Sequence, residues 1–104
     1  MIRLNHERDI RIEVKRMSGG KIKEETYVGV PVREMRDNWK GIFQVEFTGR
    51  DGMVTALSAE EIKNSARIIL AEEPDGAGVR LIVGEDGFGR RWCRHVETIR
   101  YVEE

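Results

Sequence analysis

Hydrophobic and polar side chains alternate along several segments of this chain, and a period of two is typical of β-strands. The clearest case is residues 42–48, where Phe43, Val45 and Phe47 are expected to share one face. Other apolar segments, bounded by turn-forming residues, predict further strands at 10–15, 22–28, 53–57, 66–71, 79–83 and 91–102. The chain is therefore predicted to form a mostly antiparallel sheet.

Two short helices are predicted between these strands. Pro31 stands where a helix could begin, because proline is tolerated in the first helical turn, and Gly41 would end that helix. Ser58 and Glu61 have the spacing of a capping box, which predicts a second helix that ends near Asn64. The predicted fold class is α+β, with a mixed, mostly antiparallel sheet and two short helices.

Length and composition limit the classes of protein to which this chain can belong. With 104 residues, 39% of them hydrophobic, the chain is expected to form one domain over 10–104, preceded by a flexible segment over 1–9. No apolar stretch reaches the roughly 18 residues of a membrane helix, and the first residues lack a signal-peptide core. We therefore expect a cytoplasmic protein with no membrane partner. The net charge of −1 argues against a nucleic-acid partner.

One dense basic cluster lies near the C-terminus, formed by Arg90, Arg91, Arg94 and His95. It predicts either a site for a phosphate-like anion or a solvated strand face, and the residues alone leave both open. Cys93 lies within the cluster, but a Cys-x-His pair offers two ligands where a structural zinc site needs four. We therefore predict no metal site and expect Cys93 to pack as a small buried side chain.

Several segments in a fixed order resemble a known family. Residues 27–35 are Tyr-Val-Gly-Val-Pro-Val-Arg-Glu-Met, and residues 45–52 form a strand that ends in an Asp-Gly turn. Strands at 69–73 and 79–83 follow, and residues 89–99 are Gly-Arg-Arg-Trp-Cys-Arg-His-Val-Glu-Thr-Ile. Together they resemble the sulfite-oxidase-type molybdopterin-binding domain from about Ile10 onward. The resemblance implies a curled sheet of the α+β class.

The resemblance also implies a ligand, the molybdenum cofactor, whose pterin carries a terminal phosphate. Arg91 and Arg94 replace lysines of the family's closing motif and would bind that phosphate, with Arg80 and Gly89 shaping the pocket. Arginine suits this role because its guanidinium group donates two parallel hydrogen bonds to an anion. The implied function is a small cofactor-binding module of an oxidoreductase family.

The chain departs from that family at the position of the metal ligand. Active members use a cysteine upstream of the Gly-Val-Pro motif as a molybdenum ligand, and this chain has none there. Met17 stands nearest by position, and its thioether is a poor substitute for a thiolate. The alternative is therefore a binding or assembly module that has kept the fold and lost the metal site. A homodimer or a partner oxidoreductase subunit could cover an exposed sheet edge.

Overall fold

The computed structural model describes residues 2–104, which form a single seven-stranded sheet with little helix. The strand order is β1-β2-β5-β6-β7-β3-β4, and every pairing is antiparallel. The strands are β1 Ile10–Ser18, β2 Lys21–Pro31, β3 Ile42–Gly49, β4 Val54–Ser58, β5 Ile68–Glu72, β6 Val79–Val83 and β7 Cys93–Glu103. The predicted antiparallel sheet is confirmed, and no parallel pairing of a mixed sheet occurs within the described residues.

The helical part of the chain is small. One α-helix, α1 Ala59–Asn64, follows β4, and two 3₁₀ turns lie at His6–Arg8 and Val32–Glu34. The predicted cap of α1 is confirmed, because Ser58 Oγ accepts a hydrogen bond from the Glu61 N–H at 3.1 Å. None of the helices over 2–104 has the length and apolar character needed to span a bilayer.

Hairpin β1–β2 carries one wall of the site described below. Its strands pair from Ile10 opposite Gly29 to Ser18 opposite Lys21, around a two-residue turn. Gly19 and Gly20 both have positive φ, at 57° and 77°, which gives the turn the twist that a tight hairpin requires. Only the last residues of β2 pair with β5, so most of the hairpin extends beyond that junction.

Strands β5 and β6 are buried on both faces, and the two faces belong to different hydrophobic clusters. The larger cluster contains Phe47, Leu57 and Leu81. The smaller cluster places Ile12 and Val14 of β1 against residues of the opposite face, namely Ile69, Ala71 and Ile82. Alternate side chains of a strand point to opposite faces, which explains why these two strands are almost continuously apolar in sequence.

The prediction of a first helix over 31–41 is wrong, because only a single helical turn forms there. Only Val32–Glu34 is helical, and Asn38 organises the chain that follows. Its side chain accepts from the Lys40 N–H at 3.0 Å, and its carbonyl accepts from Arg36 Nε at 2.7 Å. These local bonds offer the backbone an alternative to the helix.

The predicted orientation of Phe43 is also wrong. A bulge lies between Ile42 and Gln44 where β3 pairs with β7, and it shifts the alternation by one residue. Ile42 is therefore buried, whereas Phe43 is 43% exposed. Val45 and Phe47, beyond the bulge, point inward as predicted.

The N-terminal segment contacts the sheet. His6 Nε2 lies 3.0 Å from Glu72 Oε1, and Arg8 Nη1 lies 2.9 Å from Glu34 Oε2. Ile2 and Leu4 pack against the larger cluster. Met1 lies outside the described residues, and the mobility of residues 1–9 stays a prediction.

Candidate functional site

A cavity of about 460 Å³ lies between hairpin β1–β2, strand β6 and the loop that leads into β7. Its charged side chains are those of Arg16, Arg80, Arg94 and Glu25. Its aromatic side chains are those of Tyr27, Phe88 and Trp92. Arginine outnumbers carboxylate on this wall, so the cavity is suited to an anion.

The structure brings three of the four predicted cofactor-binding residues together. Arg80, Gly89 and Arg94 all line the cavity. Arg91 does not line it, because its Nη1 contacts both carboxylate oxygens of Glu61, at 2.6 and 3.0 Å. Arg91 Nε also lies 3.7 Å from Asp86 Oδ2, so its charge is already balanced within the chain.

Arg16 of β1 is a cavity residue that the sequence analysis missed. Its Cζ lies 4.0 Å from the centre of the Trp92 ring, which is a cation–π contact. Its Nη1 is buried and has no hydrogen-bond partner among residues 2–104. The sequence does contain a signal that Arg16 points inward. Arg16 lies two residues after Val14, which in turn lies two residues after Ile12, so all three lie on the inner face of β1.

Gly89 allows the guanidinium group of Arg16 to lie where it does. A Cβ atom on Gly89 would lie 3.1 Å from Arg16 Nη1 and 3.3 Å from Nη2. Its φ of +72° is also in the left-handed region, where a side chain is unfavourable. Both the backbone and the neighbouring side chain therefore favour glycine at this position.

Arg80 of β6 supplies a second guanidinium group without full hydrogen bonding. Its side chain is 15% exposed, and its Cζ lies 5.1 Å from the centre of the Tyr27 ring. Its Nε is buried and lies 3.9 Å from Glu73 Oε1, too far for a hydrogen bond although close enough for ionic attraction. A buried donor without a partner is costly, which makes it a ready partner for an anion.

The aromatic residues hold the arginines in place. Tyr27 and Trp92 meet edge to face with ring centres 5.3 Å apart, and Trp92 Nε1 donates to the Val83 carbonyl at 2.9 Å. The Tyr27 hydroxyl donates to Glu25. Burial, and then this bond to Glu25, raise the pKa of Tyr27, so its hydroxyl remains a donor. Glu25 is thereby occupied within the chain.

The side chains of Cys93 and Met17 are not among those that line this cavity. Cys93 is buried as predicted, with Sγ 4.0 Å from the Phe47 carbonyl and 3.8 Å from the Arg94 carbonyl. Burial raises the pKa of Cys93, which keeps it a neutral thiol. Met17 is exposed, and its backbone N–H donates to the Gly87 carbonyl at 3.2 Å. Within residues 2–104, no three His, Cys, Asp or Glu side chains are placed to hold a metal ion.

No protein-family model, curated protein or solved structure matches the chain. The resemblance to the sulfite-oxidase-type domain stays a prediction carried by the motifs alone. The expectation of a homodimer or a partner subunit also stays a prediction.

Proposed function

We propose that this chain is an anion-binding domain whose cavity takes up a phosphate group, such as the one on the pterin of the molybdenum cofactor. One observation carries the proposal. Two guanidinium nitrogens, Arg16 Nη1 and Arg80 Nε, are buried beside the same cavity without hydrogen-bond partners among the described residues. A phosphate oxygen accepts charge-assisted bonds from such donors, which are stronger than bonds between neutral groups.

Each arginine has a distinct part in this proposal. Arg94 is exposed at the rim and attracts the anion from solvent. Arg16 and Arg80 are held against Trp92 and Tyr27, so their side chains lose little conformational freedom on binding. Their partial burial strengthens the interaction, because charges attract more strongly where water is excluded.

The residues fit the phosphate end of the molybdenum cofactor and do not fit its metal end. The chain has a single cysteine, Cys93, and its buried thiol faces the Phe47 carbonyl in the core. This favours the alternative without a redox step, a binding module that has kept the anion site. No step through the metal follows from these residues.

The test is calorimetric titration with inorganic phosphate and with a pterin monophosphate. We expect Arg16→Gln and Arg80→Gln each to weaken binding by roughly tenfold to a hundredfold, the usual loss for one charged hydrogen bond. Arg11→Gln is the matched control, because Arg11 lies on the same strand as Arg16 and is exposed. Equal affinity in all three variants would disprove the site.

Molybdenum and pterin analysis of protein purified from cofactor-producing cells tests the ligand itself. Pterin without molybdenum would support a binding module, whereas stoichiometric molybdenum with oxidoreductase activity would refute the non-catalytic form of the proposal. Protein that retains neither group, and that takes up neither on reconstitution, would remove the cofactor as the ligand.

A further inference from the structure

Glu73 is the only charged residue over 2–104 that is buried as a whole. It follows β5 directly, and its side chain is 3% exposed. Its Oε2 accepts a hydrogen bond from the His95 backbone N–H at 2.7 Å, and lies 3.2 Å from His95 Nδ1. A carboxylate withdrawn from water to this degree must be balanced by neighbouring positive groups.

The other oxygen of Glu73 lies near Arg80, a residue of the proposed anion site. Glu73 Oε1 lies 3.9 Å from Arg80 Nε, too far for a hydrogen bond, and that donor has no partner among residues 2–104. Glu73 therefore lies between His95 on one side and a cation of the cavity on the other. An anion bound at Arg80 would be repelled by Glu73 unless another positive charge compensated it.

His95 is the side chain that can provide this charge. Its Nδ1 faces Glu73, and its Nε2 lies 3.2 Å from Asp75 Oδ2. An imidazole ring donates through both nitrogens only in its protonated form. The backbone of His95 has φ of +48°, a conformation that residues other than glycine seldom adopt, so the fold holds this ring in place at some cost.

The remaining charged groups around His95 come from the turn after β3 and from β7, the strand of His95 itself. Arg50, in the turn after β3, donates its backbone N–H to the His95 carbonyl at 3.0 Å. Arg50 and Glu97 of β7 line the same cleft as His95. The groups that lie against the two ring nitrogens are the carboxylates of Glu73 and Asp75, each at 3.2 Å. Negative charge therefore dominates the immediate surroundings of the ring.

We propose that Glu73 couples protonation of His95 to anion binding at Arg80, so that the cavity binds an anion more tightly when His95 is protonated. The inference rests on the proposed function and adds its regulation. When His95 is neutral, the charge of Glu73 is countered by Arg80 alone and opposes the anion. When His95 is protonated, it compensates Glu73 and leaves the charge of Arg80 to the ligand. Coupling is reciprocal, so anion binding draws a proton onto His95.

The test uses sulfate, a dianion whose charge does not change near neutral pH. Calorimetric titrations at pH about 6 and about 8 cover the range in which histidine ordinarily changes charge. We expect affinity to be about fivefold higher or more at the lower pH, in line with coupling between two sites. Titrations in buffers of different ionisation enthalpy should show net proton uptake on binding.

Two variants distinguish coupling from a structural role. Glu73→Gln should bind sulfate more tightly than the unmodified chain at the higher pH, and should lose the pH dependence. Damage to the fold would instead weaken binding. His95→Gln should bind as the unmodified chain does at the higher pH, and should show no proton uptake. His6→Gln is the control, because His6 is the other histidine and lies outside the cavity wall.

The outcomes separate this inference from the proposed function. Sulfate binding with equal affinity at both pH values, and without proton uptake, would overturn the coupling and leave the anion site intact. The same holds if Glu73→Gln binds more weakly than the unmodified chain while His95→Gln keeps its pH dependence. No sulfate binding by the unmodified chain at either pH would overturn both.

Discussion

Gly89→Ala tests the site most directly, because it introduces a single methyl group beside Arg16. The new Cβ would lie 3.1 Å from Arg16 Nη1 and 3.3 Å from Nη2, so the guanidinium group, which lies over Trp92, must shift by a few tenths of an ångström. Gly41→Ala is the matched control. Gly41 has φ of +81°, and a Cβ there meets nothing within 4 Å.

The magnitudes follow from these two environments. Left-handed backbone costs an alanine about 1–2 kcal/mol, offset by about 0.4–1 kcal/mol because alanine restricts the unfolded chain. Gly41→Ala should therefore lower the free energy of unfolding by about 1 kcal/mol. Gly89→Ala should lower it by about 1 kcal/mol more, since it also disturbs the contact between Arg16 and Trp92.

Two assays read out the difference. Urea unfolding measures the free energy of unfolding, and each kcal/mol corresponds to about 4–8 °C in Tm for a domain of this size. Sulfate titration measures the affinity of the site for an anion. Gly89→Ala should bind sulfate more weakly, whereas Gly41→Ala should bind it like the unmodified chain. If the two variants bind sulfate equally well, then the position of Arg16 does not determine anion affinity and the reasoning fails.

Two further predictions concern the packing of the core and the decline of the free energy of unfolding at acid pH. In urea unfolding, Phe47→Ala should lower the free energy of unfolding by about 3–5 kcal/mol, because Phe47 is fully buried. Phe43→Ala should lower it by about 1 kcal/mol or less, because Phe43 is exposed. Similar losses in the two variants would contradict the bulge that turns Phe43 outward. The Ala77 N–H, and then His95, lower the pKa of Asp75. The ionised Asp75 therefore stabilises the fold at pH values above its ordinary pKa of 3.8, and this stabilisation is lost as the pH falls through its lower pKa in the folded state. Asp75→Asn should flatten the decline of stability at acid pH, and an unchanged acid limb would refute this assignment.

The strands were predictable because their signals are local. Alternation within a strand depends on adjacent residues, and the turns at Gly19–Gly20 and Asp51–Gly52 depend on glycine. The cap of α1 was predictable for the same reason, since Ser58 and Glu61 are three residues apart. The two failures have different causes. The orientation of Phe43 depends on the bulge where β3 pairs with β7, whereas the helix over 31–41 is replaced by local hydrogen bonds of Asn38.

The candidate site was only partly predictable. The basic cluster near the C-terminus pointed to the right loop, and Arg94 and Gly89 do line the cavity. Arg91 has the same residue type in the same cluster, yet α1 places Glu61 beside it. Whether a guanidinium group is free or paired depends on which carboxylate the fold brings close, and that carboxylate lies 30 residues away in sequence.

The sequence by itself determined the antiparallel strands, the cap of α1 and the burial of Cys93. Only the tertiary structure decided that Arg16 and Arg80 line one cavity, and that Glu73 lies between Arg80 and His95. The physical reason is the strand order, which places hairpin β1–β2 beside β5 and β6 beside β7. Backbone conformation is set by near neighbours, whereas the balance of buried charges depends on side chains that meet only after the sheet has formed.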